Sequence, residues 1–280
     1  MRVAVTGASG TLGGAIYQQL VASGHKVVAV GRTPVGAGFI KADLGDPAHV
    51  AKATQGIDWL IHAAGKVGDQ NGDQSNVEMA AAIGAGASDC RIINLSSVAV
   101  YGYTPNRIVT EADICQPASA YGLSKLAAEA ALDERAASVC HLRIGNVCSS
   151  ASTLQELSGS SRSLVRLLRA NEVLNAVLDT DVAELVGYLI DMSGDLVSRV
   201  NVARPDLGHR AIRSLAGPVG PFGIPDRFVP ARASHLVRGL RGVPSLPNKI
   251  FTSSVLDRIG FSYRPLEVAA PQLWDQIAHA

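Results

Sequence analysis

Apolar residues along this chain fall into two alternating kinds of block. Short aliphatic runs at residues 3–6, 26–30, 39–44, 58–65, 91–97 and 139–144 are too brief for helices and have the character of buried strands. Longer stretches with apolar positions three and four apart lie between them. They predict helices over 11–21, 76–83 and 121–137, and a shorter one over 47–53 that Asp46 caps and Pro47 opens. Residues 66–75, rich in Gly, Asp, Gln and Asn, read as a loop. Strands that alternate with helices at this pace imply an α/β fold with a doubly wound parallel sheet, since each parallel crossover needs a helix.

Beyond residue 148 the rhythm breaks. Serine-rich stretches at 149–153 and 158–163 precede a basic helix carrying Arg162, Arg166 and Arg169. Further strands are predicted at 174–178 and 199–203, around a helix over 182–192. Prolines then crowd between Pro205 and Pro247. The chain therefore divides into a core over 1–150, to which 173–204 returns, and a small irregular part made of 151–172 and 205–280. Loop-rich segments of that kind are better suited to shaping a substrate pocket than to extending a sheet.

Composition narrows the function without choosing it. Lys and Arg total 25 against 24 Asp and Glu, a net charge of +1, so bulk electrostatics point to neither a nucleic acid nor a membrane surface. No apolar run approaches the ~20 residues of a membrane span. The first strand starts at once, leaving no room for a signal peptide. Cys90, Cys115, Cys140 and Cys148 lack paired spacing, so no metal site or redox motif is expected. Together these features predict a cytoplasmic protein with reduced thiols.

The chemistry begins at Thr6-Gly-Ala-Ser-Gly-Thr-Leu-Gly13, where the first strand turns into the first helix. A dinucleotide-binding (Rossmann) turn needs glycines at such spacing. Gly7 would allow the tight turn, Gly10 the approach of a pyrophosphate, and Gly13 close packing of helix on strand. Ser9, Thr11 and Leu12 complete the loop, with helix N–H groups facing the anion. The second strand ends at Gly31-Arg32, where dinucleotide folds that hold NAD commonly place an acid. A guanidinium there suits a 2′-phosphate, so NADP(H) is favoured, with NAD(H) second. Asp43-Leu44 suits the adenine edge. Ala63-Ala64-Gly65 is small enough for a cofactor to lie against the backbone. His62, a lone imidazole in an apolar strand, is given no catalytic role.

Tyr121-Gly-Leu-Ser-Lys125 sets a phenol and an ammonium four apart on one helix face. A free tyrosine titrates near ~10, and lowering it by about three units takes roughly 4 kcal/mol, which a nearby lysine and a cationic nicotinamide would jointly supply. Ser97 closes a strand at the carboxyl edge of the sheet, where open α/β folds bind ligands.

With these motifs in place the chain resembles the extended short-chain dehydrogenases/reductases, also called the NAD-dependent epimerase/dehydratase family. The resemblance rests on the glycine turn, Asp43-Leu44, His62-Ala-Ala-Gly65, Leu95-Ser-Ser-Val-Ala-Val-Tyr-Gly102, Tyr121-Gly-Leu-Ser-Lys125 and Leu142-Arg-Ile-Gly-Asn146. It covers residues 1–148 and continues more thinly through Asp179-Thr-Asp-Val-Ala183, Val200-Asn-Val202 and Leu256-Asp-Arg-Ile-Gly-Phe261. It implies Ser97 rather than Ser96 as the catalytic serine, Tyr121 as acid/base, and Lys125 as the group that tunes Tyr121 and holds the nicotinamide ribose. Tyr121, Lys125 and Ile144 would border the cofactor, and Ser97 and Asn146 the substrate.

The family's nucleotide-sugar enzymes often carry an arginine where this chain has Leu174. Arg162, Arg166 and Arg169 are near enough in sequence to replace it, or form a solvated helix face. Three functions stay open. One is a reductase or dehydrogenase acting on a small-molecule carbonyl/alcohol pair. The second is a nucleotide-sugar epimerase with retained NAD, or less favourably a dehydratase, since Val98-Ala99 offers no extra acid or base. The third is a dinucleotide sensor without turnover. Aromatics of the C-terminal part (Phe222, Phe228, Phe251, Phe261, Tyr263, Trp274) read as core filling. By analogy with the family, the alanine face Ala127, Ala128, Ala131 predicts a homodimer through the Tyr-Lys helix.

Overall fold

In the computed structural model of the chain, the described residues are 1–36, 38–66, 70–102, 108–148, 175–204 and 250–265. Seven parallel strands make the central sheet: β1 (Arg2–Thr6), β2 (Lys26–Gly31), β3 (Ile40–Lys41), β4 (Trp59–His62), β5 (Arg91–Ser97), β7 (Ser138–Ile144) and β10 (Arg199–Val202). Their spatial order is β10-β7-β5-β4-β1-β2-β3. The chain winds outward from β1 to β3, then crosses back to β4 and winds the other way. That reversal between β1 and β4 opens a crevice at the carboxyl ends of the strands, the place where doubly wound sheets bind ligands.

Helices α1 (Thr11–Ala22) and α5 (Asp179–Asp191) cover one face. The helices α2 (Pro47–Ala53), α3 (Gln70–Gly86) and α4 (Ala120–Arg135) cover the other. Strand alternation sends Val3, Val5, Ile61, Ile93 and Leu142 into the first core, and Ala4, Leu60 and Ile92 into the second. Burial on both faces explains why the strands read as near-continuous apolar runs.

Two small parallel pairs lie beside the main sheet. β6 (Ile108–Val109) pairs with β11 (Ile250–Phe251), and β8 (Asn146–Cys148) with β9 (Ala176–Leu178). A last helix, α6 (Ser254–Ile259), follows β11. Asp181 accepts the Leu178 N–H at 3.1 Å and binds Arg204 at 2.8 Å, with both charged side chains buried, which anchors α5 to the strand that follows it.

Most predicted elements stand within a residue or two of their expected limits, but four differ, the first being the strand expected over 58–65, which ends at His62. The expected loop over 66–75 is helical from Gln70. Its polar residues carry no periodicity, and a tertiary contact closes the turn instead: Asn76 grips both the N–H and the C=O of Lys66, at 2.9 and 3.0 Å. The strand expected over 39–44 shrinks to Ile40–Lys41, because Asp43 turns back to accept the Gly45 N–H at 3.1 Å. The helix expected over 182–192 begins at Asp179.

The expected alanine face also divides: Ala128 and Ala131 pack inside the chain against α3, and Ala127 is exposed. The serine-rich stretches, Arg162, Arg166, Arg169, Leu174, the proline-rich segment, Phe222, Phe228 and Trp274 lie outside the described residues. Phe251 is buried, and Phe261 and Tyr263 pack against the core. Among the described residues no helix is long and apolar enough to cross a membrane. Cys90, Cys115, Cys140 and Cys148 are free thiols.

Candidate active site

A cleft of about 620 Å³ opens over the carboxyl ends of β1, β2 and β4. Gly7, Ser9, Gly10, Arg32, Asp43, Leu44, Ala63, Ala64 and Gly65 line it, nine residues that the sequence had selected. The glycines make the cradle. Gly7 turns at φ +68°, and a Cβ on it would lie 2.6 Å from the Ala64 nitrogen. Gly13 sits directly beneath, where a Cβ would lie 2.1 Å from the Gly7 carbonyl oxygen. At Gly10, by contrast, the nearest atom to a Cβ would be the Gly7 oxygen at 3.4 Å, so the space above the loop is open. Gly10 is also the N-cap of α1 and has no side chain to satisfy the first-turn N–H groups. A backbone bare of Cβ atoms beneath a helix N-terminus suits a pyrophosphate. The donor set of this chain therefore fits a nicotinamide dinucleotide. Thr11 and Leu12 form the first turn of α1, with Thr11 exposed and Leu12 packed on the core.

Thr6 locks the turn to the neighbouring strand. Its Oγ1 accepts the Ala64 N–H at 3.2 Å and lies 3.0 Å from His62 Nδ1. Burial, helped by the charge of Lys125, pulls the His62 imidazole down to about 3, so it is neutral. Its place is structural.

Sequence reasoning missed other parts of the wall. Ser75, Glu78 and Met79 line the cleft from α3, three and four apart on one face. Their helical spacing was the available signal, hidden by reading residues up to 75 as loop. Phe39 and Lys66 line it too. Arg32 and Thr33 are exposed at its rim, at the tip of β2.

Lys125 stands behind Gly65, with Tyr121 one turn before it on α4. Lys125 Nζ donates to the Leu95 carbonyl at 3.0 Å and lies 5.9 Å from the centre of the Tyr121 ring. It reaches the cleft floor, since a Cβ on Gly65 would be 3.3 Å from Nζ. Burial pulls the Lys125 ammonium down to about 8, against an opposing pull from Glu129. Ser97 ends β5, half-buried, and its Oγ accepts the Ala99 N–H at 3.2 Å, capping the 3-10 turn Val98–Tyr101. The start of α4 presses on that turn: a Cβ on Gly122 would lie 2.6 Å from the Ala99 carbonyl oxygen. Glycine beside Tyr121 thus brings the tyrosine's helix against the serine's turn. Ser96 points the other way, buried, and donates to Glu129 at 2.5 Å.

Ile144 is buried in the apolar core opposite Ser97 in the sheet register. Asn146 is exposed just beyond it, on the strand that pairs with β9. Neither lines the cleft.

A profile of the NAD dependent epimerase/dehydratase family matches residues 3–178. The dTDP-6-deoxy-L-talose 4-dehydrogenase (NAD(P)(+)) of Kitasatospora kifunensis is 33% identical over 166 residues, 52% of this chain and 52% of that one. A 2-alkyl-3-oxoalkanoate reductase of Shewanella oneidensis is 36% identical over 112 residues, 36% of this chain and 28% of its own. The match thus spans about half, or less, of these curated relatives. Among solved structures, UDP-glucuronic acid 4-epimerase from Bacillus cereus in complex with UDP-glucuronic acid and NAD has a TM-score of 0.68. It is 16% identical, with 100% of this chain and 99% of that one covered, a likeness of fold.

Proposed function

The chain belongs to the NAD dependent epimerase/dehydratase family, and on that premise we propose that it is an NAD(P)-dependent oxidoreductase acting on a carbonyl/alcohol carbon. The observation that carries this reading is Lys125 Nζ, held against Gly65 at the floor of the dinucleotide cleft and close to the Tyr121 ring. A bound nicotinamide supplies the hydride acceptor or donor at its C4. The rest is done by this chain. Tyr121 gives a proton to the substrate oxygen in reduction and takes it in oxidation. Lys125, charged below about pH 8, favours the phenolate and holds the ribose. Ser97, fixed by its cap on the 3-10 turn, orients the substrate oxygen, and Asn146 meets the far side of the substrate. Arg32 at the rim selects NADP(H) through the 2′-phosphate.

A nucleotide-sugar 4-epimerase with retained NAD is the second reading. It draws on the dTDP-sugar dehydrogenase and the UDP-sugar epimerase among the similar proteins. Leu123, Ala127 and Ala130, exposed along one side of α4, support a homodimer through that helix, and the free thiols suit the cytoplasm.

The test is to purify the protein without cofactor, denature it, and identify any released dinucleotide by mass spectrometry. The stripped protein is then titrated with NADPH and NADH. An empty protein that prefers NADPH, with the preference lost in Arg32→Ala, supports the reductase and justifies a carbonyl screen. Stoichiometric NAD moves the reading to the epimerase. In either case Tyr121→Phe is expected to lower turnover by about 10²–10⁴-fold with cofactor affinity unchanged. Near-normal turnover in Tyr121→Phe would remove the acid/base assignment.

A further inference from the structure

Two successive residues of β5 are gripped by two successive turns of α4. β4 pairs with β5 only as far as Asn94, and the next carbonyl, that of Leu95, accepts from Lys125 Nζ at 3.0 Å. One residue on, Ser96 Oγ donates to Glu129 at 2.5 Å. Lys125 and Glu129 are four apart and share a helix face. Glu129 is 1% exposed, and Arg143 of β7 closes on it with Nε at 3.1 Å and Nη2 at 2.7 Å. Arg143 is itself buried and passes its remaining contact, through Nη1, to the Tyr101 hydroxyl at 2.8 Å. Tyr101 donates in turn to Asn201 of β10. One buried ionic centre therefore joins the strand end carrying Ser97, the helix carrying Tyr121 and Lys125, and the two strands beyond.

Such a centre is more than packing demands. A buried ion pair contributes little net stability compared with apolar residues of the same volume, whereas removal of one partner leaves a bare charge. We propose that Glu129 is a positioning residue for Lys125: its buried carboxylate, clamped by Arg143 and by Ser96 one residue beyond Leu95, holds the turn of α4 that sets the lysine against the end of β5. The proposal rests on Lys125 acting as assigned above. His62 on β4 and Tyr121 on α4 face Lys125. Arg143 on β7, Arg199 on β10 at 3.9 Å, Tyr101 and Cys115 face Glu129 or its arginine, Asp133 pairs with Arg199, and Glu111 and Asp113 line the same cavity. His62 is neutral. Glu129 is thus the carboxylate that supports the Lys125 ammonium against burial.

The experiment reads the lysine directly. Protein labelled with ¹³C at lysine Cε is titrated by NMR, and the Lys125 signal is assigned by its absence in Lys125→Arg. Glu129→Gln keeps the shape and loses the charge. It is expected to lower the Lys125 midpoint by at least one pH unit, a tenfold loss of proton affinity. Asp133→Asn, one turn further along α4, leaves the midpoint unchanged, and Glu129→Asp falls between wild type and Glu129→Gln. An unmoved midpoint in folded Glu129→Gln overturns the proposal, as does an equal shift in Asp133→Asn. Should Glu129→Gln fail to fold, a wild-type midpoint in Glu129→Asp overturns it instead. Activity separates the two readings. With a substrate from the carbonyl screen, the alkaline limb of kcat/KM moves with the NMR midpoint, where a merely structural defect lowers the rate at every pH. A shifted midpoint in an enzyme without hydride transfer sinks the oxidoreductase reading and leaves the Glu129–Lys125 coupling standing.

Discussion

At Gly13 the space for a side chain is already filled by the Gly7 carbonyl oxygen, 2.1 Å from where a Cβ would be. Backbone on both sides of that contact leaves nothing flexible to give way. Gly13→Ala is therefore expected to destabilise the protein by about 2–3 kcal/mol and to abolish dinucleotide binding. Gly10→Ala meets only a 3.4 Å contact and loses the N-cap preference for glycine, so its stability should stay within about 1 kcal/mol of the wild type while binding of the dinucleotide weakens. Thermal melts with and without the dinucleotide check both, and equal melting temperatures for the two variants would falsify the steric account. The turn at Gly7 and the close packing at Gly13 were legible in the sequence because they are local, falling within seven consecutive residues. The Glu129–Arg143 pair was not legible. Its partners are fourteen residues apart and meet only because β7 lies beside β5 with α4 across both.

For α4 the decisive quantity is the charge it buries. Lys125 titrates at about 8 in the fold against 10.5 outside it. Because the folded value is the lower one, the ammonium opposes folding at every pH below about 8, and that opposition fades as pH rises from about 8 to 10.5. Lys125→Met should then be more stable than wild type at pH 7, by ~1–2 kcal/mol once the lost bond to Leu95 is counted. The gain should shrink toward pH 10. A Met variant that melts below the wild type at pH 7 contradicts this. Where elements begin was less legible than which elements exist. Ser119 capping Gly122 sets the start of α4 close to the expected place, since a cap is a local signal. The start of α3 depends on Asn76 reaching back ten residues to Lys66, and no periodicity announces that.

For the whole molecule, the alternation of strand and helix was enough to predict a doubly wound parallel sheet, because the crossover requirement is general. The two small pairs, β6 with β11 and β8 with β9, were not expected as partners. Each joins two- or three-residue strands from distant parts of the chain, too short for a pattern. The pairing of β6 has a consequence for synthesis. Among the described residues, all strands of the large sheet precede Arg204, so a chain that ends there carries the strands that frame the dinucleotide cleft. Val109 and the ring of Tyr101 must wait for Phe251, which stacks on Tyr101 at 5.7 Å, and Asn201 for Thr252, whose carbonyl it binds at 3.0 Å. A chain stopped at residue 204 should still bind the dinucleotide but melt at a lower temperature and expose apolar surface to a fluorescent dye. Loss of dinucleotide binding would place closure of the cleft after β11 instead. Binding by the shortened chain would mean that a cofactor-competent intermediate forms during translation, its apolar flank open to chaperones for about fifty residues of further synthesis, a few seconds at ordinary elongation rates.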